Sequence, residues 1–311
     1  MTWNDGMPYV DEMAPGVFAY VQPDGGWMVN NCGTIVDARG TAVMVDTTST
    51  EKRNRAVLAE VAKVSTGAPY ALVNTHHHPD HTFGNGFLPP ETRIIGHDKC
   101  REFVLGAGLE ATRVITAPDY GDLVLRPPEI TFPDRMTLHL EDFAIELMHV
   151  GGPAHTTNDV LVWLPEQKVL FAGDLAFNGG QPFVLEGSIA GFRRAIAQMQ
   201  ALTPEVLAPG HGPVCRGEDV PRLLKAMDEY LVFVETVASQ SHAAGLTPLE
   251  AAQKHRDNPY STWAETERFV GNITRAYAEI ENGTEDWVRL TVPSAWPDMV
   301  AFHGGPIACH A

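Results

Sequence analysis

Residues 75–81 read THHHPDH, which places four histidines and one aspartate, all residue types that bind metals, within six consecutive positions. The segment follows a short apolar stretch and contains a proline, so we expect it to be a loop and not a helix. In an extended backbone, His76 and His78 point to the same side and can share one metal ion. Asp80 and His81 lie just beyond them and can serve a second metal. Zinc accepts imidazole nitrogens and carboxylate oxygens, and it keeps one coordination position open when it is catalytic.

Three further candidate ligands follow along the chain, each in a glycine-rich turn after an apolar segment. They are His155 in GGPAHTTND, Asp174 in LFAGD and His211 in APGHGP. A single histidine is more often a surface or core residue than a ligand, so each motif is weak by itself. The conjunction of all three with HxHxDH predicts a site for two metal ions.

This series of motifs resembles the metallo-β-lactamase superfamily from about residue 17 to residue 215. The resemblance implies an α/β fold, the αββα sandwich, with a two-metal site at one edge of its sheets. It also implies seven metal ligands. The first metal would be held by His76, His78 and His155, the second by Asp80, His81 and His211, and Asp174 would bridge the two.

The same resemblance suggests roles for residues beside these ligands. Asp46, in the turn MVDT, resembles the superfamily's buried aspartate that braces the HxHxDH loop, although an ordinary turn aspartate would look the same in sequence. Asp159 is a candidate hydrogen-bond partner of a ligand. His77 occupies the variable position of the motif, and we expect it not to be a ligand. Asp80 is the predicted catalytic residue as well as a ligand.

The ligand types favour hydrolytic zinc chemistry. Asp174 stands where one branch of true β-lactamases has a cysteine, and His78 stands where the di-iron oxidoreductase branch has a glutamate. Two dications, two carboxylates and a bridging hydroxide would leave a site charge of about +1, so that a bound water loses its proton near neutral pH. Such a hydroxide can attack a carbonyl group that one of the metals polarises.

A closer resemblance covers nearly the whole chain. It is carried by the segments GGWMVNNCGTIV, VNTHHHPDHTFGNGFLPPETRIIGHD, LRPPEITFPDRMTLHL, VWLPEQKVLFAGDLAFNGGQPF, GSIAGFRRAI and PGHGPV, and by the tail FHGGPIACHA. They look like the metallo-β-lactamase-type cyclase/thioesterases of aromatic (type II) polyketide pathways in actinomycetes. The implied substrate is an aromatic polyketide tethered to an acyl carrier protein. The implied reactions are ring closure by aldol or Claisen-type condensation and thioester hydrolysis by a metal-bound hydroxide.

Two alternatives remain open beside this hypothesis. One is a general lactonase or thioester hydrolase of the same superfamily, and the other is a metal-binding protein without catalytic activity. Four aromatic residues flank the ligand motifs and are expected either to wall a substrate pocket or to pack in the core; they are Phe83, Phe87, Phe177 and Phe183. Arg193 and Arg194 are candidates for docking an acidic carrier protein.

Composition and charge exclude other classes of protein. The chain has 311 residues, of which 44% are hydrophobic and 20% charged, as is typical of globular proteins. Its formal net charge of −17 would repel phosphate backbones, so nucleic-acid binding is not expected. Neither a secretory signal nor a membrane-spanning apolar run is recognisable. The four cysteines form no CxxC pair, which is typical of a reducing compartment and predicts a cytoplasmic protein.

Periodicity predicts strands and helices up to about residue 218 and helices alone after it. The predicted strands cover residues 17–22, 27–36, 41–46, 70–75, 93–95, 145–150, 160–164, 169–172 and 205–208. The predicted helices cover 51–65, 189–202, 220–239, a segment starting after Thr247, and 263–281, and the tail from 283 has little periodicity. We therefore predict a catalytic domain over 1–218 and a helical extension over 219–311 packed on the same domain. The extension could cover the site, enlarge the core or form a homodimer interface.

Overall fold

The computed structural model describes residues 6–23, 25–284 and 287–311. Two β-sheets pack face to face, and helices cover the outer face of each sheet. This arrangement confirms the predicted αββα sandwich with additional helices at the C-terminal end. Residues 1–5 and 24 of the predicted catalytic domain, and residues 285 and 286 of the predicted extension, lie outside the described residues.

The first sheet contains seven strands within the described ranges, and they lie side by side in chain order. Neighbouring strands are antiparallel from the first to the fourth strand, and they are parallel from the fourth to the seventh. The strands are β1 (Tyr9–Ala14), β2 (Val17–Val21), β3 (Cys32–Val36), β4 (Ala42–Val45), β5 (Ala71–Val73), β6 (Arg93–His97) and β7 (Ile130–Phe132). The parallel strands end at a common edge, and the HxHxDH segment follows β5 directly.

The second sheet contains six strands in the part of the chain that the structure describes, in the order β13-β12-β11-β10-β9-β8. The pair β11 and β12 is parallel, and the other neighbours are antiparallel. The strands are β8 (Arg135–His139), β9 (Ala144–His149), β10 (Val160–Leu164), β11 (Val169–Phe177), β12 (Val206–His211) and β13 (Cys215–Arg216). Three of the predicted ligand motifs therefore lie on this sheet or in its loops.

Helices flank both sheets. Those before β8 are α1 (Glu51–Val64), α2 (Pro79–Thr82), α3 (Asp98–Ala107) and α4 (Ala111–Val114), and a 3-10 turn covers Phe83–Phe87. Those after β11 are α5 (Ile189–Leu202), α6 (Asp219–Ala243), α7 (Pro248–Lys254), α8 (Arg268–Asn282) and α9 (Val292–His303). Among the described residues, no helix combines the length and the hydrophobicity needed to cross a bilayer.

The strand β10 contributes side chains to two hydrophobic clusters, one on each face of its sheet. Its side chains alternate, so that Val160, Val162 and Leu164 pack between the sheets while Leu161 and Trp163 pack under the outer helices. A strand that is buried on both faces reads as a continuous apolar run, which is why this segment was predicted from the sequence.

The C-terminal helices belong to the same hydrophobic cluster as the outer face of the second sheet. Leu224, Met227 and Leu231 of α6 are buried in this cluster together with Leu170 of β11 and Phe269 of α8. The last strand ends at Arg216 and the described chain after it forms helices and loops. A separate domain boundary near residue 218 stays a prediction.

The sequence prediction was wrong at the proline of the HxHxDH segment. The structure places one turn of helix, α2, where a loop was expected. Proline is favoured in the first turn of a helix because its fixed φ angle fits and the missing N–H is not needed there. His76, His77 and His78 still lie outside any helix or strand.

The predicted strand over 27–36 begins only at Cys32. Residues 27–31 instead form a loop that crosses to the second sheet, where Asn31 Nδ2 donates to the carbonyls of Pro209 at 2.9 Å and Gly212 at 2.7 Å. These long-range hydrogen bonds fix the loop near His211. They cannot be predicted from the local pattern of apolar residues.

The C-terminal predictions also need correction. The helix expected over 263–281 begins at Arg268, and the tail, in which the sequence shows little periodicity, contains α9. Pro297 lies inside α9 and weakens its helical signal in the sequence. The strands β1, β7, β8 and β13, all at sheet edges, and the helices α3 and α4 were also missed.

A stacked pair of histidines joins the two sheets away from the metal-ligand candidates. The rings of His97 at the end of β6 and His149 at the end of β9 lie 4.0 Å apart, and His97 Nε2 contacts the Pro133 carbonyl at 2.8 Å. Burial lowers the pKa of both, and the neighbouring His97 further lowers the pKa of His149, to about 4. Folding therefore favours the neutral form of both rings.

This pair predicts a loss of stability in mild acid. In the unfolded chain these histidines take up protons below pH about 6.5. Because their folded pKa values are depressed, stability is fully present above that pH and is lost as the pH falls toward 4. Urea unfolding of zinc-loaded protein at pH 7 and pH 5 should show a smaller decrease for His149→Gln than for the natural chain. Equal decreases would contradict this account.

Candidate metal centre

The seven predicted ligands meet at one edge of the two sheets. The segment after β5 supplies four of them, the loop between β9 and β10 supplies His155, and β11 and β12 supply Asp174 and His211. Six of the seven side chains are buried, and His78 is partly buried. The parallel pairing of β11 with β12 brings Asp174 and His211 together although 37 residues separate them.

The first cluster consists of three imidazoles and one carboxylate. His78 Nδ1 lies 3.1 Å from His76 Nε2 and 2.9 Å from His155 Nε2. Asp174 Oδ2 lies 3.4 Å from His155 Nε2 and 3.9 Å from His76 Nε2. All four atoms lie within 4.8 Å of one another, so one metal ion could contact all of them.

The second cluster shares Asp174 with the first. His81 Nε2 lies 3.1 Å from Asp174 Oδ1 and 3.7 Å from Asp80 Oδ2. His211 Nε2 lies 3.2 Å from Asp174 Oδ2 and 3.4 Å from Asp80 Oδ2. A second ion could therefore contact two imidazoles and two carboxylates, and the Asp174 carboxylate would lie between the two ions.

Two buried atoms at the centre of these clusters are suited to bind cations. His81 Nε2 and Asp174 Oδ1 are completely buried and make no hydrogen bond, although they lie 3.1 Å apart. Buried polar atoms are nearly always satisfied, so such a pair indicates a partner of another kind. Imidazole nitrogens and carboxylate oxygens are ligands that zinc accepts. The residues therefore fit two metal ions, and the assignment of each ligand remains a prediction.

The carboxylates of the site hold protons on two of the histidines. Burial by itself would lower the pKa values of His81 and His211, but Asp174 and the other nearby carboxylates outweigh it. They raise the pKa of His211 to about 9 and that of His81 well above its usual range. A metal ion must displace these protons to bind, since a ligating imidazole offers a lone pair.

The non-ligating nitrogens of the histidines are held by the surrounding chain. His155 Nδ1 contacts the Phe183 carbonyl at 2.5 Å, and His211 Nδ1 contacts the carbonyls of Gly25 and Val29, each at 2.9 Å. Contacts of this kind fix the tautomer and the ring orientation of a metal-binding histidine.

Asp46 contacts residues at both ends of the HxHxDH segment, as the sequence suggested. Its carboxylate lies 2.8 Å from His81 Nδ1 and accepts hydrogen bonds from the Thr75 main-chain N–H and hydroxyl, each at 2.7 Å. It thus joins both ends of the HxHxDH segment. Asp159, in contrast, accepts from the main-chain N–H and hydroxyl of Thr156 at 2.8 Å and 2.6 Å and contacts no predicted ligand directly.

Two glycines of the motifs leave room for side chains of the site, Gly210 for Asp174 and Gly173 for Thr75. A Cβ atom on Gly210 would lie 2.0 Å from Asp174 Oδ1. Gly173 has a φ angle of +51°, and a Cβ atom there would lie 2.6 Å from Thr75 Oγ1. These contacts explain why the motifs LFAGD and APGHGP need glycine beside the ligand.

Sequence reasoning missed Glu186, which lies against the HxHxDH segment. Its Oε2 atom is 3.2 Å from His78 Nε2 and 3.5 Å from His77 Nε2. Burial would raise the pKa of Glu186, but the hydrogen bonds from both histidines outweigh it and hold that pKa well below its usual range. The sequence around it, VLEGS, carries no motif that marks the residue.

A cavity of about 230 Å³ opens onto both clusters. Phe83, Phe177 and Phe183 line it, as does Trp27. Phe87, for which the sequence left a wall position and core packing open, is not part of the lining and lies beside the Arg55 guanidinium. The C-terminal part of the chain contributes residues that the sequence did not indicate; they are Arg268, Arg289, Thr291, Val292 and Pro293.

The sequence model of the metallo-beta-lactamase superfamily matches residues 25–211, which is more than half of the chain. The chain belongs to this superfamily. Together with the two clusters, the match describes a member of the superfamily with a candidate site for two metals.

Similar proteins with established names differ in what they act on. The linear primary-alkylsulfatase of Pseudomonas sp. is 22% identical over 82% of this chain, and the chain spans about half, 56%, of that protein's length. The metallo-beta-lactamase type 2 of Bacteroides fragilis is 23% identical over 71% of this chain and 86% of its own length. The hydroxyacylglutathione hydrolase of Erythrobacter litoralis is 28% identical over 43% of this chain and 45% of its own length.

Solved structures show the same fold at lower identity. A sec-alkylsulfatase from Pseudomonas sp. aligns with a TM-score of 0.68 and 17% identity, covering 96% of this chain and 55% of that one. The DIM-1 metallo-beta-lactamase aligns with a TM-score of 0.55 and 19% identity, covering 73% of this chain and 98% of that one. The alignment with the sec-alkylsulfatase therefore includes the C-terminal helices of this chain.

The second cluster predicts a specific effect of losing Asp80. Asp80→Ala should bind one metal ion instead of two, and it should hydrolyse substrates at least about 100-fold more slowly, since loss of a mere supporting residue already costs 10–100-fold. Elemental analysis of metal content and initial rates on a thioester substrate measure both effects. Two bound metals and full activity in this variant would show that Asp80 is neither ligand nor catalytic residue.

Proposed function

We propose that the protein is a zinc-dependent thioesterase/cyclase that acts on an aromatic polyketide presented by an acyl carrier protein. The observation that carries the proposal is the aromatic-walled cavity that opens onto both clusters. The resemblance of nearly the whole sequence to polyketide cyclase/thioesterases supports the substrate class. The similarity to hydrolases of hydroxyacylglutathione, itself a thioester, supports the bond that is cleaved.

The shape of the cavity suits a flat, apolar acyl group. Trp27 packs edge-on against Phe183 with ring centroids 5.3 Å apart. Phe177 stacks on the ring of His211 at 5.2 Å, with the planes inclined by only 3°. A fused aromatic ring system can lie against such faces with favourable stacking geometry. Its reactive carbonyl would then lie beside the predicted ligands.

The proposed release reaction is the hydrolysis of a thioester. The oxygen of water bonds to the carbonyl carbon, the carbon–sulfur bond breaks, and the carrier's thiolate leaves and takes up a proton. Two metal ions bound at the clusters would activate the water and polarise the carbonyl. Asp80 lines the cavity, and its carboxylate can hold the proton that passes to the leaving sulfur. The aromatic walls exclude bulk water from the acyl group.

Ring closure would use the same polarised carbonyl chemistry. In an aldol condensation the carbon between two carbonyl groups loses a proton, bonds to a ketone carbon of the same chain, and water leaves. In a Claisen-type closure the carbon bonds to the thioester carbonyl, and the thiol leaves instead. The aromatic walls would hold the chain folded so that the two carbons meet.

A hydrolase of sulfate esters is the second candidate function. The fold similarity to the sec-alkylsulfatase covers 96% of this chain, and two arginines, Arg268 and Arg289, line the cavity. Guanidinium groups are suited to bind a sulfate group. The apolar walls would accept an alkyl chain as well as an aromatic ring system, so only a direct comparison of substrates separates the two functions.

The substrate class can be tested with a bicyclic aromatic β-ketoacyl N-acetylcysteamine thioester. Zinc-loaded protein should release the thiol and yield a free acid or a cyclised product in the mass spectrum. His76→Ala, which lacks one predicted ligand, should lose this activity. Dodecyl sulfate and simple lactones serve as the competing substrates. Hydrolysis of either with no thiol release would overturn the proposal and favour a sulfatase or a lactonase.

Arg194 is the remaining candidate for contact with the carrier protein. Arg193 already pairs with Asp228 at 2.7 Å and Glu235 at 3.1 Å, whereas Arg194 is exposed. An acidic carrier would be attracted to this charge.

Charge reversal at this position gives a second test of the partner. Arg194→Glu should raise KM for a carrier-tethered thioester several-fold and leave KM for the N-acetylcysteamine thioester unchanged. Steady-state kinetics with both substrates measures this contrast. An unchanged KM for the tethered substrate would remove Arg194 from the proposed docking surface.

A further inference from the structure

Glu186 connects the HxHxDH segment with the C-terminal part of the chain. One carboxylate oxygen, Oε2, faces His78 Nε2 at 3.2 Å and His77 Nε2 at 3.5 Å. The other, Oε1, accepts a hydrogen bond from the main-chain N–H of Val292, in the first turn of α9, at 3.2 Å. One side chain thus contacts a predicted ligand and a distant helix at once.

The position of His78 determines which of its nitrogens carries a proton when a metal is bound. Its Nδ1 atom faces the first cluster, 3.1 Å from His76 Nε2 and 2.9 Å from His155 Nε2. A metal held by these three residues would take the lone pair of Nδ1, so the proton of the neutral ring must be on Nε2. That N–H group faces Glu186 and donates to its carboxylate.

His77, like His78, carries the proton of its neutral ring on Nε2. The Asn158 amide nitrogen, Nδ2, lies 3.1 Å from His77 Nδ1 and donates to it, so the proton of the His77 ring is on Nε2. This N–H group also faces Glu186. His77 therefore helps to hold Glu186 in place, which gives a role to the one histidine of the motif that is not a predicted ligand.

The main chain around Glu186 is held by the C-terminal part of the chain. Arg275 of α8 is buried, and its guanidinium donates to the Leu185 carbonyl at 2.7 Å and 2.9 Å and to the Val288 carbonyl at 2.9 Å. The Trp287 indole N–H donates to the Gly187 carbonyl at 3.0 Å. Residues on both sides of Glu186 are thus fastened to the segment that leads into α9.

We propose that Glu186 is a positioning residue for the first metal: it fixes the tautomer and the orientation of His78, and the C-terminal helices hold it there. The inference rests on the proposed metal centre and is independent of the proposed substrate. Carboxylates that accept a hydrogen bond from a metal-binding histidine typically contribute 10–100-fold to metal affinity. Loss of this carboxylate should therefore weaken the first metal and leave the second unchanged.

The test compares Glu186→Gln with Glu279→Gln. Glu279 is a matched control, because its carboxylate accepts a hydrogen bond from the Ile189 main-chain N–H at 2.8 Å and contacts no histidine of the site. Zinc affinities come from competition with a chromophoric chelator, and cadmium-113 NMR distinguishes the two sites. Glu186→Gln should weaken one site about 10–100-fold, with the other unchanged, and Glu279→Gln should match the natural protein.

A spectroscopic measurement on the natural protein does not depend on any variant folding. With nitrogen-15-labelled histidine and both metals bound, His78 should show a slowly exchanging proton on Nε2. A proton on Nδ1 of His78, or unchanged affinities in a folded Glu186→Gln variant, would overturn the inference. Failure of the natural protein to bind two metals would instead overturn the proposed metal centre.

Discussion

Asp174 places one buried carboxylate between two groups of imidazoles, and much of the structure serves to keep it there. A buried charge is costly unless opposite charges or hydrogen bonds compensate it. One oxygen of Asp174 makes no hydrogen bond at all, and the parallel pairing of β11 with β12 holds His211 against the other. Cations bound at the two clusters would compensate the buried negative charge of Asp174. The fold would then depend on the metal site for part of its stability.

Residues from both sheets and from the C-terminal helices hold the side chains around Asp174 in position. The first sheet supplies the HxHxDH segment and Asp46, and the main-chain carbonyls of Gly25 and Val29, before β3, contact the Nδ1 side of His211. The C-terminal helices reach the other cluster through Glu186. The part of the chain beyond residue 211, where the superfamily match ends, therefore contributes both to the cavity and to the surroundings of a predicted ligand. Substrate choice is expected to depend on it.

The fold and the seven clustered residues could be predicted because their signal is local. Each ligand stands in a short motif, and Gly173 and Gly210 beside Asp174 and His211 are required by close contacts with Thr75 and Asp174. Other features arise from long-range contacts and could not be read from the sequence. Asn31 turns a predicted strand into a loop by binding carbonyls near His211, and Glu186 has no motif of its own. Phe87 lies close in sequence to the ligands but outside the cavity lining, so the sequence alone could not decide between its two expected positions.

The central claim is that the two clusters each hold a metal ion on either side of Asp174. Anomalous diffraction from crystals of the zinc-loaded protein, recorded just above and just below the zinc absorption edge, tests it directly. The account predicts two anomalous peaks, one among His76, His78 and His155 and one among Asp80, His81 and His211. A single peak, no peak, or a peak between His77 and Glu186 in place of either would contradict it.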